Sequence, residues 1–205
     1  MLSPRIRRLK LDFDTLTARF AGWPVIQING TAGMPPELYR FAYNVKGLYV
    51  SPAGQILERE VHVLEVNLSL GYPRRAPQCR MLTPVFHPNF DEASVCIGDF
   101  WAASEGLDDL VVRIGRMIAY QEYNTKSPLN GLAAKWAAEH LSLLPVDARN
   151  VAPPGGSPAA VSAGETSPEA STAPAAGEAA AAPVQSGAAA DPWEKPIVIE
   201  QSPAE

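Results

Sequence analysis

The residue composition changes near residue 150, and this change limits how much of the chain can form a compact domain. Residues 1–150 hold nearly all the large apolar and aromatic side chains. In residues 151–192, 34 of the 42 residues are Ala, Pro, Gly, Ser or Thr, and none is aromatic. Such a segment cannot bury enough apolar surface to offset the entropy lost on ordering. The sequence therefore predicts one domain over 1–150 and a disordered linker over 151–192.

Charge is divided in the same way. Residues 1–150 carry 16 Lys and Arg against 15 Asp and Glu, whereas the remainder carries one Lys and seven acids and supplies the net charge of −5. A near-neutral domain lacks the basic surface typical of nucleic-acid-binding proteins. The sequence contains no apolar stretch of about 18 residues, so we expect no membrane span. The N-terminus also lacks the apolar region of a signal peptide. We therefore expect a cytoplasmic protein without nucleic-acid or membrane partners.

The cysteines and histidines predict free thiols and no metal centre. Two cysteines in a chain of this size do not make a disulfide framework. The two Cys and three His also lack the close paired spacing of metal ligands. We expect no metal ion and no cofactor.

Helical periodicity opens the domain. Ser3-Pro4 is typical of an N-cap followed by proline at the first helical position. Apolar residues then recur every three or four positions, at Ile6, Leu9, Phe13, Leu16 and Phe20. The basic residues of the first turns lie off this stripe; they are Arg5, Arg7, Arg8 and Lys10. They form either a solvated outer face or a docking surface for an acidic partner.

Four short runs of alternating apolar residues follow, at 25–28, 39–45, 64–70 and 79–83. Turn signals such as Asn29-Gly30 and Lys46-Gly47 interrupt them, which predicts an antiparallel meander with one covered face. Helical spacing returns after Trp101 in two stripes, at 107–118 and 129–137, with Pro128 suited to a helix start. This order predicts an α+β domain. The loop between sheet and helices is where functional residues are expected.

Short motifs of proline, aromatic and polar residues lie along this part of the chain. In order they are Tyr72-Pro73 with Pro77, His87-Pro88-Asn89, Cys96, Trp101 and Ser127-Pro128-Leu129. With the basic N-terminal helix and the four strands, they make residues 4–144 resemble the ubiquitin-conjugating enzymes, in which all these features occur in the same order. The segment 127–136 and the Ala- and Pro-rich tail resemble a bacterial branch of ubiquitin-like conjugation systems.

The resemblance implies the ubiquitin-conjugating fold and a transferase with a cysteine thioester intermediate. A ubiquitin-like protein would pass from an ATP-dependent activating enzyme to Cys96, and then to a lysine or another nucleophile of a target protein, with or without a ligase. The resemblance gives Asn89 the task of stabilising the oxyanion, for which one amide donor is worth about 3 kcal/mol. It gives Ser127 the task of orienting the incoming amine.

Each of these residues also has a structural interpretation. Cys96 could be a buried, inert thiol, Asn89 could only hold the loop, and Ser127 could be an N-cap before Pro128. The remaining motif residues are expected to be structural: His87, Pro88, Tyr72, Pro73 and Trp101.

Two departures from the family pattern stand out. Asn89 and Cys96 are seven positions apart, one fewer than is common in the family, and Cys96 is also closer to Trp101. Arg74 stands after Tyr72-Pro73, where the family often has an aromatic residue that meets ligases. The second departure predicts altered ligase recognition or none. The first keeps open a non-catalytic adaptor of the same fold.

The end of the chain, residues 193–205, is not of low complexity. Ile197, Val198 and Ile199 lie beside an acid, a pattern that resembles short segments that add a strand to a ubiquitin-like sheet edge. A linear binding motif on a flexible tether raises the local concentration of a partner. The alternative is a tail that folds back on its own domain or has no function.

Overall fold

The computed structural model describes residues 2–98 and 101–154, and the predicted α+β class and element order are confirmed. The elements are α1 (Pro4–Phe20), β1 (Ile26–Gly33), β2 (Pro36–Val50), β3 (Ile56–Asn67), β4 (Gln78–Met81), α2 (Leu107–Ile118), α3 (Gly131–Glu139) and a 3-10 turn (Leu141–Leu143). Ser3 caps α1, because its hydroxyl accepts a hydrogen bond from the Ile6 N–H at 3.2 Å.

The four strands form one antiparallel meander in the order β1-β2-β3-β4. Alternate residues of β2 point to one face and are fully buried, among them Tyr39, Phe41 and Tyr43. They share one core cluster with Leu16 of α1 and Ile114 of α2. Both helices therefore cover the same face of the sheet, as the alternation of the strands predicts.

Strand β2 runs past the predicted interruption at Lys46-Gly47. Its pairing with β3 shifts register between Asn44 and Gly47 and then continues to Val50. A Cβ atom on Gly47 would lie 2.8 Å from both His62 Nε2 and Ile118 Cγ2. The glycine thus marks a close approach of the strand to its neighbours instead of a turn.

The predicted run 64–70 is too long at its C-terminal end. Strand β3 ends at Asn67. Leu68 is fully buried, but Leu70 is 88% exposed and belongs to the turn that follows. The alternation of apolar residues continues by coincidence beyond the paired strand.

Helix α3 begins later than Pro128. Asn130 is its N-cap, with Oδ1 accepting from the Ala133 N–H at 3.0 Å. The Leu129 and Asn130 N–H groups donate to the Pro88 carbonyl, which fixes this stretch as a loop. The helix packs on a second, smaller cluster through Ala133 and Ala137. Leu129 and Leu132 are consequently exposed, against the predicted stripe.

The packed chain continues past the predicted boundary at residue 150. Val151 is fully buried, and its carbonyl accepts from Trp23 Nε1 at 3.1 Å. Asp147 accepts from the Lys46 N–H at 2.8 Å and ties the same segment to β2. None of the helices in the described part of the chain is both long and apolar enough to cross a membrane.

Candidate active site

Cys96 is half-buried at the end of a tight hairpin between β4 and α2. Its N–H donates to the Asn89 carbonyl at 2.8 Å, and Phe90 and Val95 form an antiparallel bridge inside it. The turn is closed by Asp91, whose Oδ1 accepts from the Ala93 N–H at 2.8 Å and from the Ser94 N–H at 2.6 Å. The short spacing between Asn89 and Cys96 is thus accommodated by a closed hairpin.

The hairpin is attached to the edge of the sheet. The Val95 N–H donates to the Cys79 carbonyl at 3.0 Å, and Phe90 is buried in the main core. Cys79 itself is buried, and burial raises the pKa of its thiol to about 12. Of the two thiols, only that of Cys96 is partly accessible to solvent.

His87 fixes the start of the hairpin. Its Nδ1 accepts from the Asn89 N–H at 3.1 Å, and its Nε2 lies 3.3 Å from the Glu122 carbonyl, to which it donates. The rings of Phe90 and Tyr120 meet the imidazole edge to face. Burial lowers the pKa of His87 to about 3, so the ring is neutral at physiological pH. These bonds connect the His87-Pro88-Asn89 turn to the loop after α2.

Asn89 connects the hairpin to the loop after α2. Its side chain is nearly buried, and its Oδ1 accepts from the Asn124 N–H at 2.9 Å. Because the carbonyl end of the amide is used in this way, its NH2 end remains as the donor group.

Cys96, Asn89 and Ser127 line one open cavity of about 220 Å³. Ser127 is exposed in the loop before α3, so the predicted alternative of an N-cap before Pro128 is wrong; Asn130 caps that helix. The structure therefore brings together the three residues singled out as catalytic candidates.

The cavity also contains charged residues that the sequence analysis did not single out. Glu122 and Arg113 lie on its wall, and Arg113 is also paired with Glu105 at 3.1 Å. Partial burial raises the pKa of Glu122, and Arg113 and Arg116 oppose that rise. Glu122 lies between two helical stripes and belongs to no motif, so no sequence signal pointed to it.

Comparison with known proteins identifies the family. A family model described as "Ubiquitin-conjugating enzyme" matches residues 34–143, more than half of the chain. The chain belongs to the ubiquitin-conjugating enzyme family. It is 28% identical over 159 residues to "Ubiquitin-conjugating enzyme E2 T" of Danio rerio, a match that covers 66% of this chain and 76% of that protein.

Solved structures of conjugating enzymes share the fold. "S. cerevisiae Ubc12" superposes with a TM-score of 0.51 at 24% identity and covers 68% of this chain and 74% of its own. A structure titled "Novel Ubiquitin-Conjugating Enzyme" gives a TM-score of 0.50 at 20% identity, with 67% and 87% covered. These likenesses support the ubiquitin-conjugating fold predicted from the motifs.

The Tyr-Pro corner of this conjugating-enzyme fold is connected to the chain after Cys96. Trp101 Nε1 donates to the Pro73 carbonyl at 2.7 Å, and its ring packs against Tyr72. The Tyr72 hydroxyl donates to Asp12 Oδ2 of α1 at 2.6 Å. Arg74 is exposed on the same corner.

The predicted basic outer face of α1 needs correction. Arg5 donates to Glu37 Oε1 at 2.8 Å and to the Leu68 carbonyl at 3.0 Å. Arg8 bonds to both carboxylate oxygens of Asp12 and to the carbonyls of Ala103 and Glu105. Long arginine side chains reach such carbonyls along the flank of the helix.

Of the four basic residues, Arg7 and Lys10 are exposed and keep the predicted outer position. The other predicted partner-binding residues, Ile197, Val198 and Ile199, lie outside the described residues. Among residues 2–98 and 101–154, no group of three or more His, Cys, Asp or Glu is arranged to hold a metal ion.

Proposed function

We propose that this conjugating-family protein receives a ubiquitin-like protein from an activating enzyme as a thioester on Cys96 and transfers it to a lysine or another nucleophile. The observation that carries the proposal is the lining of a single open cavity by Cys96, Asn89 and Ser127. The chain's membership of the ubiquitin-conjugating family supplies the class of reaction.

The loading step exchanges one thioester for another. The Cys96 thiolate attacks the carbonyl carbon of the activating enzyme's thioester, a new C–S bond forms, and the electron pair of the old one leaves with the activating enzyme's sulfur. Since the two thioesters are nearly equal in energy, alignment matters more than a strong base. His87 is not needed as a base, and both of its ring nitrogens are already in hydrogen bonds.

The transfer step develops negative charge on the thioester oxygen. An amide NH2 group beside the sulfur stabilises that charge, and the NH2 of Asn89 is the donor we assign to it. Ser127 has a hydroxyl on the same cavity with which to orient the attacking amine. No cofactor is required, because the thioester already carries the energy of the transfer.

A loading assay tests this function. Incubation with an activating enzyme, ATP and a ubiquitin-like protein is expected to give an adduct that reductant removes. Cys96→Ala should abolish the adduct, whereas Cys79→Ala should retain it, because the Cys79 thiol is buried. An adduct that persists in Cys96→Ala would overturn the assignment. Binding of the modifier without any adduct would favour the adaptor function that the short Asn89–Cys96 spacing suggested.

The cellular setting and the partner surfaces are further parts of the proposal. We assign the protein to a bacterial branch and to the cytoplasm on the resemblance of segment 127–136 and on the two free thiols. An activating enzyme or a ligase would bind at three exposed basic residues, Arg7, Lys10 and Arg74. Residues 193–205 are proposed to bind the modifier or a partner, so deletion of 192–205 should weaken that binding in a titration; unchanged affinity would remove this role.

A further inference from the structure

We propose that Glu122 is the carboxylate that receives the ammonium group of an acceptor lysine beside Cys96 and takes its proton. This inference rests on the proposed thioester at Cys96. Glu122 would touch the attacking nitrogen and is therefore a catalytic residue in this proposal.

The chemistry of the transfer step requires such a group. The amine of a lysine has a pKa of about 10.4, so at neutral pH nearly all of it is protonated and has no free electron pair. A positioned base that removes this proton contributes about 100-fold to 10,000-fold to a rate. A hydroxyl or thiol acceptor carries no positive charge and is not attracted by an anionic wall.

Glu122 is the only carboxylate among the described residues that line the cavity with Cys96. The other ionisable or hydroxylic groups there are the thiol itself, the Arg113 cation, the Tyr123 phenol and the Ser127 hydroxyl. Among these described residues, an ammonium group entering the cavity therefore finds one anionic partner.

Hydrogen bonds connect the segment that carries Glu122 to Asn89, the proposed oxyanion donor. Its carbonyl accepts from His87 Nε2 at 3.3 Å, and two residues later the Asn124 N–H donates to Asn89 Oδ1 at 2.9 Å. His87 Nδ1 in turn accepts from the Asn89 N–H at 3.1 Å. These three bonds form one closed connection between the segment that carries Glu122 and the residue beside the thioester.

Glu122 is solvent-exposed on the cavity wall and faces two cations of α2. Partial burial raises the pKa of its carboxyl, while Arg113 and Arg116 on α2 limit that rise. His87, on the other side, is neutral because burial lowers its pKa to about 3. A carboxyl whose pKa is moved toward the working pH is a better base than an unperturbed one, provided that it stays ionised.

The transfer step removes two protons from the attacking nitrogen. The ammonium gives one proton to Glu122, and the free amine forms a C–N bond to the thioester carbon. The C–S bond breaks with its electron pair leaving on Cys96 Sγ, and a second proton from the nitrogen neutralises that sulfur. Glu122 then releases its proton to water. One thioester and one ammonium thus give one amide, one thiol and one proton.

Single-turnover discharge of loaded protein tests this role. Ubiquitin carrying a small alkyl thioester at its C-terminus is exchanged onto Cys96, which needs no activating enzyme, and the loaded protein is mixed with free lysine over a range of pH. At pH 7, Glu122→Gln is expected to discharge at least about tenfold more slowly than the wild type. The difference should shrink as the pH approaches about 10, where lysine loses its proton unaided.

Two controls separate proton transfer from a structural effect. Hydroxylamine, which is uncharged at neutral pH, should discharge the wild type and Glu122→Gln at the same rate. Glu139→Gln, which removes an exposed carboxylate on α3, should match the wild type with both nucleophiles. If the wild type and Glu122→Gln discharge to lysine at the same rate, the role of Glu122 is overturned. It is also overturned if Glu122→Gln is slowed as much with hydroxylamine as with lysine at every pH. Either result leaves the function of Cys96 in place. Failure of the wild type to load would overturn the function of Cys96 and this inference together.

Discussion

Asn89 has two separable tasks at opposite ends of one amide. Its Oδ1 accepts from the Asn124 N–H at 2.9 Å and holds the loop after α2, whereas its NH2 is the donor proposed for the oxyanion. Replacement by alanine removes both ends, so it cannot distinguish a loop-holding residue from an oxyanion donor. A variant that keeps the acceptor and removes the donor can do so.

We expect Asn89→Asp to load normally but to lose discharge to lysine by about 100-fold to 1,000-fold, because one oxyanion donor is worth about 3 kcal/mol. The aspartate retains the oxygen that faces Asn124, so the thermal midpoint should stay close to that of the wild type. The measurement is single-turnover discharge beside a thermal melt. Normal discharge in Asn89→Asp, with loss in Asn89→Ala, would assign Asn89 only to holding the loop.

The sequence pointed to the part of the site that lies within a few positions of Cys96 and, through the family resemblance, to Ser127. One short segment contains His87, Asn89 and Cys96, so their closeness in the sequence already predicts their closeness in the fold. Glu122 and Asn124 reach the cavity through bonds to residues 35 positions away, made by main-chain groups that any residue has. No pattern of side chains in the sequence predicts such contacts. Only the folded chain therefore shows that Glu122 and Asn124 lie at the cavity.

At the level of elements, helix α1 shows which predictions periodicity supports. Leu9, Leu16 and Phe20 are buried as their spacing predicts. Periodicity also places Arg8 off the apolar stripe, but it does not say where a long side chain ends. The guanidinium of Arg8 meets carbonyls of Ala103 and Glu105, about 95 positions away, and these partners are supplied by the fold.

Arg8→Ala is expected to lower the free energy of unfolding by about 3 kcal/mol. Arg8 and Asp12 are only 15% and 6% exposed, so loss of the cation leaves a buried carboxylate without its charge partner. Urea unfolding measures the change. The matched control is Arg7→Ala on the exposed face of the same helix, which should stay within about 0.5 kcal/mol of the wild type.

Similar losses in Arg8→Ala and Arg7→Ala would contradict this account of α1. They would indicate that general helix charge, and not the bonds from Arg8 to Asp12 and the chain after Cys96, sets the stability of the helix.

The start of α3 was mispredicted for a related reason. Proline is favoured at the first helical position, which made Pro128 a reasonable start. The Pro88 carbonyl instead captures the N–H groups of Leu129 and Asn130, and the helix begins only after that contact. A long-range hydrogen bond therefore overrides a local preference and leaves Ser127 in the loop that lines the cavity.

For the whole molecule, two buried histidines couple folding to pH. Burial lowers the pKa of His62 to about 4 and that of His87 to about 3. In the unfolded chain both return to about 6.5. Below that value the unfolded state binds protons that the folded state does not, so stability falls as the pH falls from about 6.5 toward the folded-state values.

The expected loss is at most about 1.4 kcal/mol per pH unit for each histidine. Urea midpoints at pH 7, 6 and 5 measure it. A His62→Gln variant should show a clearly shallower fall between pH 6 and pH 5 than the wild type, whatever its stability at pH 7. An identical slope in the two proteins would show that His62 is not neutral in the folded state.

The intact mass of the protein after incubation with an activating enzyme, ATP and a ubiquitin-like protein tests directly whether Cys96 carries a thioester. The wild type should gain one modifier, less one water, on Cys96, and reductant should remove it. Cys96→Ser should gain the same mass as an oxyester that resists reductant and yields to mild base. An adduct on the wild type that survives reductant, or one that maps to a residue other than 96, would contradict a thioester on Cys96.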